Sequence, residues 1–148
     1  MTRTCAAISE ADAASALAVA REAIARGAEC LEFRFDRMPI LPDDLTPFQE
    51  LEVRRIATLR EREQGGEWEG TNEKKWEFLW RAARAGFDID LELGHPLVHR
   101  AHLLKPAKVI VSYHDHKKTP QMARIIETLV ECSARSDMAK AAFNVRTM

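Results

Sequence analysis

The chain has 148 residues, 46% of them hydrophobic, which is enough for one domain of ordinary size with a real core. Acidic residues number 23 and basic ones 22, so no net field recruits nucleic acid or an anionic membrane. No apolar run reaches the ~20 residues that span a bilayer, and the N-terminus lacks a basic start followed by an apolar stretch; the expectation is a cytoplasmic protein with neither a membrane nor a nucleic-acid partner. Three dispersed cysteines, Cys5, Cys30 and Cys132, form no CxxC pair and read as buried thiols in a reducing compartment. With the five histidines they show no zinc-site spacing, so no metal is expected.

In chain order, CAAIS (5–9) is a short apolar strand. ADAASALAVAREAIARG (11–27) is an alanine-rich helix stopped by Gly27. ECLEFRFD (29–36) alternates apolar Leu31, Phe33 and Phe35 with charged Glu32, Arg34 and Asp36, as a strand does. After a proline-bearing loop, TPFQELE (46–52) reads as a short helix with Thr46 as N-cap and Pro47 in the first helical position. VRRIATLR (53–60) is a strand, followed by a charged loop with the Gly65–Gly66 pair. NEKKWEFLWRAARAG (72–86) is an amphipathic helix with Trp76, Leu79, Trp80 and Ala83 as its apolar stripe. FDIDLEL (87–93) is a strand, HPLVHRAHLL a short helix, and AKVIVSYHD (107–115) the strongest strand. TPQMARIIETLVECSARS (119–136) is a helix opened by Thr119 and Pro120, and DMAKAAFNV (137–145) a last strand.

Strict βα alternation with short connections implies a parallel sheet with right-handed crossovers in a single domain over residues 1–148. Two architectures satisfy it: an open doubly wound sheet, or part of an eight-stranded β/α barrel. No GxGxxG or P-loop follows the first strand, which removes the usual nucleotide reading.

Parallel strands are normally buried on both faces and read as continuous apolar runs. Here five successive strands carry polar residues on one parity: Glu32, Arg34 and Asp36; Thr58 and Arg60; Asp90 and Glu92; Ser112 and His114; and Lys140 between Ala139 and Ala141. Most lie toward the C-terminal strand ends, where a β/α barrel builds its active site. One such strand alone would be an edge or a solvated face. Five would leave the sheet without a core on that side, so the charged face is expected to line a polar site. A strand lysine among alanines, near Arg34 and Arg60, is expected to have a lowered pKa and to act as a Schiff-base nucleophile. His114 is expected to be a general acid/base with a pKa near working pH. Lysine, histidine and hydroxyl-binding groups suggest imine-assisted proton abstraction beside a carbonyl, which does not separate an aldolase from a dehydratase.

The segments LEFRFDRM, ATLR followed by a Gly pair, DIDLEL, VIVSYHDHKKTP and DMAKAA resemble, in order and over nearly the whole chain, the type I 3-dehydroquinate dehydratases. The SYHD-x-x-K-TP segment is the most specific of them. The resemblance implies a (β/α)8 TIM-barrel fold, incomplete here at about six of eight strands, with the last two strand–helix units lacking. It implies loss of water from 3-dehydroquinate to give 3-dehydroshikimate in the shikimate pathway to aromatic amino acids, with no cofactor. Lys140 would form the imine with the C3 ketone, and His114 would take the C2 proton and donate one to the departing hydroxyl. Glu32, Arg34 and Arg60 match positions that bind the substrate's hydroxyls, and Asp36, Gln64, Asp90 and Glu92 are expected to support the site.

Three departures from the family stand out, the largest of them length. Gln64 occupies a position where the family usually has a glutamate that hydrogen-bonds the histidine, so the pKa of His114 is expected to be lower than usual. His116 replaces a usual phenylalanine. The family's seventh and eighth strands carry an arginine, a serine and a glutamine that bind the substrate carboxylate, and none can be assigned here. Open strand edges predict self-association, as a homodimer or through those edges. Another class I Schiff-base lyase such as an aldolase, or a noncatalytic truncated remnant, are the competing readings.

Overall fold

The computed structural model describes residues 3–144. Six strands, β1 (Cys5–Ile8), β2 (Cys30–Arg34), β3 (Arg54–Thr58), β4 (Asp88–Glu92), β5 (Val109–Asp115) and β6 (Met138–Phe143), form one sheet in sequence order. All five strand pairs are parallel. The helices are α1 (Ala13–Ala25), α2 (Thr46–Gln49), α3 (Asn72–Arg84) and α4 (Met122–Ser133), and a 3-10 segment, Pro96–Leu104, replaces the helix between β4 and β5. The six strands curl into an incomplete TIM-barrel arrangement; a doubly wound sheet would not keep its strands in sequence order.

The two faces of the sheet differ as the alternation requires. Leu31, Phe33, Ala57, Ile89, Leu91, Val109 and Val111 all face the helices and are buried in one core with residues of α1 and α3. Phe33, Phe35, Phe48, Phe78 and Phe87 form its centre, with ring centroids 4.9–5.9 Å apart and mostly edge-to-face. Each such buried ring contributes about 1.5–3 kcal/mol of transfer free energy. On the opposite parity, Cys30, Ile56 and Ile110 make a small apolar layer near the N-terminal strand ends. Above it the same face turns polar.

Local chemistry sets the boundaries. The Asp12 side chain accepts from Ser15 N at 2.9 Å and caps α1. The Thr71 hydroxyl caps α3 by accepting from Lys74 N. α2 begins at Thr46 itself: Asp44 Oδ1 accepts from Thr46 N at 2.8 Å, so the acid upstream takes the capping role expected of the threonine. α4 begins at Met122 rather than Thr119, because the Thr119 hydroxyl donates to Asn144 O at 2.6 Å and ties its loop to the end of β6.

The stripe of α3 is also displaced from the sequence reading. Its buried residues are Lys75, Phe78, Leu79, Ala82 and Ala83, while Trp80 is 41% exposed. β2 ends at Arg34, and Phe35–Arg37 form a 3-10 turn, so Asp36 reaches the interior from a turn rather than a strand. Val145 of the expected last strand lies outside the described residues. No helix among the described residues is long and apolar enough to cross a membrane.

Candidate active site

Register places the polar residues in rows across the inner face. Glu32 precedes Arg34, which pairs with Thr58, which pairs with Asp90. Glu92 pairs with Ser112, which pairs with Lys140, and His114 pairs with Ala142 one row further on. The side chains therefore converge because the side-chain period of two is kept on every strand. Arg60, Gln64 and Asp36 join from segments just beyond the strand ends.

Lys140 Nζ donates to both oxygens of Glu32, at 2.9 and 3.0 Å, and to Asp90 Oδ2 at 3.4 Å. Its side chain is 34% exposed. The groups that bond the amine are thus carboxylates, and Arg60 pairs with the same two, Glu32 and Asp90. Arg34 instead makes a two-pronged pair with Asp36, at 2.9 and 2.8 Å. Burial pushes the Asp36 carboxyl up, but Arg34 and the backbone N–H of Glu67 outweigh it and hold the acid below its ordinary range. Arg60 is buried. It donates to the Ser112 hydroxyl at 2.7 Å and pairs with Asp90 at 3.0 Å, with Glu32 and Glu92 at 3.7 and 3.8 Å. Ser112 in turn donates to Asp90 Oδ1 at 2.6 Å. For Asp90 the cost of burial is exceeded by Arg60, Lys140 and Ser112, so this acid stays ionised.

Gln64 meets His114, as the loop alignment anticipates. Its Oε1 accepts from the His114 backbone N–H at 3.0 Å and lies 3.4 Å from Nδ1. The imidazole pKa is lowered from 6.5 to about 3, first by burial and then by the Arg60 charge. The expectation of a pKa near working pH is corrected accordingly: the contact at position 64 is an amide, and the Asp90 charge does not outweigh burial and the Arg60 charge. His116 is more than a loop substitution. Its Nε2 lies 3.0 Å from Gln64 O, and its ring stacks near His114, with centroids 6.2 Å apart and planes at 18°. The glycine pair allows this packing. A Cβ on Gly65 would fall 2.3 Å from His116 Nε2, and one on Gly66 would fall 1.9 Å from Arg60 O.

A second buried charge cluster escaped the sequence reading. Lys75 Nζ, fully buried, donates to Glu61 Oε1 at 2.7 Å and to Glu92 Oε2 at 2.9 Å. His95 Nε2 lies 3.2 Å from the same Glu61 oxygen. The other Glu92 oxygen accepts from Glu61 N at 2.8 Å. Glu92 thus supports the wall behind Arg60, held by a lysine from α3. The signal was present in the sequence: Lys75, Phe78, Leu79, Ala82 and Ala83 follow a strict i, i+3, i+4, i+7, i+8 pattern.

The arrangement can hold a carbonyl compound against a strand amine, move a proton at an imidazole that is neutral at pH 7, and offer carboxylate and guanidinium partners to hydroxyls. Among the described residues, no three His, Cys, Asp or Glu side chains gather to hold a metal ion.

Comparison with known proteins gives the family and the fold. The sequence model of the family described as type I 3-dehydroquinase matches residues 4–148. The 3-dehydroquinate dehydratase of Methanococcus vannielii is 35% identical over 136 residues, covering 86% of this chain and 60% of its own length. That of Methanopyrus kandleri is 33% identical over 128 residues, covering 82% of this chain and 58% of its own. The chain therefore spans about 60% of the length of such relatives. The crystal structure of 3-dehydroquinate dehydratase from Geobacillus kaustophilus superposes with a TM-score of 0.86 at 19% identity, over 95% of this chain and 61% of that one. At that identity it speaks to the fold.

Proposed function

Because the chain belongs to the type I 3-dehydroquinase family, we propose that it carries the catalytic pair of a 3-dehydroquinate dehydratase, a hydro-lyase of the shikimate pathway working in the cytoplasm. The observation that carries this reading is the convergence of Lys140, His114, Glu32 and Arg60 on one polar inner face. In this reading Lys140 Nζ attacks the C3 ketone and, with loss of water, forms an imine. The imine accepts the electron pair released when a proton leaves C2. His114, neutral because it is buried beside Arg60, takes that proton. It then returns a proton to the departing hydroxyl, giving a conjugated imine that water hydrolyses to release the enone and free the Lys140 amine. Glu32, Arg34 and Arg60 contact substrate hydroxyls. Asp36 fixes Arg34, Asp90 fixes Arg60 and Lys140, Gln64 orients His114, and Glu92 backs Arg60.

β1 and β6 are the two outer strands of the sheet. Met122, Ile126 and Val130 of α4 are 54–69% exposed and lie beside β6. Unpaired strand edges and an apolar helix face of this kind favour self-association, as a dimer or through those edges.

The test is imine trapping. The chain is incubated with 3-dehydroquinate, reduced with borohydride and digested for mass spectrometry. A substrate adduct on Lys140 is expected. An adduct on Lys105, Lys108 or Lys118 instead, or none, overturns the assignment.

A further inference from the structure

Cys5 and Cys30 are distant in sequence but are direct register partners across β1 and β2, with Ala7 and Glu32 paired two residues further on. Both cysteines therefore lie on the inner-face parity, below Glu32. Neighbouring parallel strands run about 4.8 Å apart, inside the ~4.4–6.8 Å Cα separation that a disulfide accepts. Cys30 is buried and Cys5 is exposed, which corrects the expectation that the thiols are uniformly buried. Arg54 is the β3 register partner of Cys30, so the pair sits next to a guanidinium.

We propose that Cys5 and Cys30 form a redox-active dithiol, a modification site on the N-terminal side of the candidate active site, oxidised to an intrachain cystine by small-molecule disulfides. The two thiols share a proton. The Cys5 thiol, helped by Arg54, brings Cys30 down to about 7, while Cys5 is pushed up by its partner and by burial. The titration belongs to the pair, so one thiolate is present near neutrality. Cys5 is the sulphur that a reagent reaches. Passing the shared proton to the Cys30 thiolate, Cys5 attacks a sulphur of glutathione disulfide, expelling one glutathione thiolate and leaving a mixed disulfide on Cys5. Cys30, giving up its proton to solvent, attacks the Cys5 sulphur and expels the second glutathione. One protein S–S bond forms, two S–H bonds are lost, and one glutathione disulfide is reduced to two glutathiones. The bond would tie edge strand β1 to β2 below the carboxylate that holds Lys140. Cys132, at the C-terminal end of α4, has burial and Glu131 pushing its thiol up and serves as the internal control.

The experiment incubates the chain as it is with glutathione disulfide at pH 7.5, then unfolds it in urea to cap every free thiol with iodoacetamide, the buried ones included, and maps peptides without reduction. The expected result is a Cys5–Cys30 linked peptide, reversed by dithiothreitol, with Cys132 capped. A mixed disulfide persisting on Cys5 with Cys30 capped, or Cys5 and Cys30 both capped, overturns the proposal. The second arm measures Cys5 alkylation at pH 7 in Cys30→Ala. Without the partner that pushes its thiol up, Cys5 returns toward an ordinary thiol, ~3% ionised at that pH, and its alkylation should speed up about tenfold. An unchanged rate would show that no proton is shared.

Discussion

Lys75 and Lys140 each sit between two carboxylates, yet the two places are built for different ends. Lys75 comes from a helix, is sealed from solvent, and bonds Glu61 and Glu92 at 2.7 and 2.9 Å. Lys140 comes from a strand, remains about a third exposed, and bonds Glu32 and Asp90. Bond lengths hardly separate them; access does. A lysine that no substrate can reach is an internal strut, and one at the open inner face is free to react. The lesson is that a buried ionic cluster near a site is not by itself a catalytic one.

The strongest way to break this comparison is Lys75→Ala. It leaves Glu92 buried without its cation, and losing one member of a buried pair costs about 3–5 kcal/mol. Urea unfolding followed by circular dichroism should show a loss of that size or no cooperative transition. A loss below ~1 kcal/mol would mean that Lys75 is solvated and the contrast with Lys140 is empty.

Gly66→Ala tests the loop that joins the two regions. Residues 61–66 carry Glu61 to Lys75 and Gln64 to His114. A Cβ at Gly66 meets the Arg60 carbonyl, backbone that cannot swing aside. The loop must shift, at a cost of about 1–3 kcal/mol. Both surroundings should be disturbed at once, read as chemical-shift changes at His95 and at His114. Changes at only one would show that the loop does not couple them.

Lys140→Ala should behave in the opposite way to Lys75→Ala. The amine itself is about a third exposed and Arg60 still pairs with Glu32 and Asp90, so the change in unfolding free energy should stay within ~1 kcal/mol, while the borohydride adduct with 3-dehydroquinate disappears. A variant that still gives the adduct would place the reactive amine elsewhere.

The contrast also explains what could be read from sequence. The charged parity of Glu32, Arg34, Thr58, Asp90, Glu92, Ser112, His114 and Lys140 was legible because strand alternation is a fixed geometric rule, and register then brought those residues together. The βα order left a doubly wound sheet and a part-barrel open, and the incomplete barrel came with the family resemblance. Lys75 was missed because Trp76 and Trp80 drew the helix stripe one position away, and Trp80 proved to be 41% exposed. The Cys5–Cys30 contact was invisible to spacing rules, which look for cysteines close in sequence rather than in strand register. Which groups bond Lys140 Nζ was not legible, because charges of both signs share its face: the fold sets Glu32 and Asp90 against the amine, with Arg60 on the same two carboxylates and Arg34 on Asp36.

The smallest expected effect concerns the residue beside His114. Burial and Arg60 lower this imidazole from 6.5 to about 3 in the folded chain, and Gln64 offers it only an amide oxygen. The unfolded chain then binds the proton more readily than the folded one. Stability contributed by the neutral ring is present in full above about pH 6.5 and is lost as pH falls from there toward 3. Gln64→Glu puts a carboxylate at the same contact, which favours the imidazolium and raises the folded pKa. The window over which stability is lost becomes narrower, and the variant should resist acid better between pH 6 and 4 as far as His114 is concerned. Two-dimensional NMR of the imidazole resonances across pH 3–8 reads the shift directly, and urea midpoints at pH 7 and 5 read its consequence. An imidazole that titrates unchanged in Gln64→Glu would show that the side chain at position 64 does not hold Nδ1, leaving the backbone bond to His114 N as its only role.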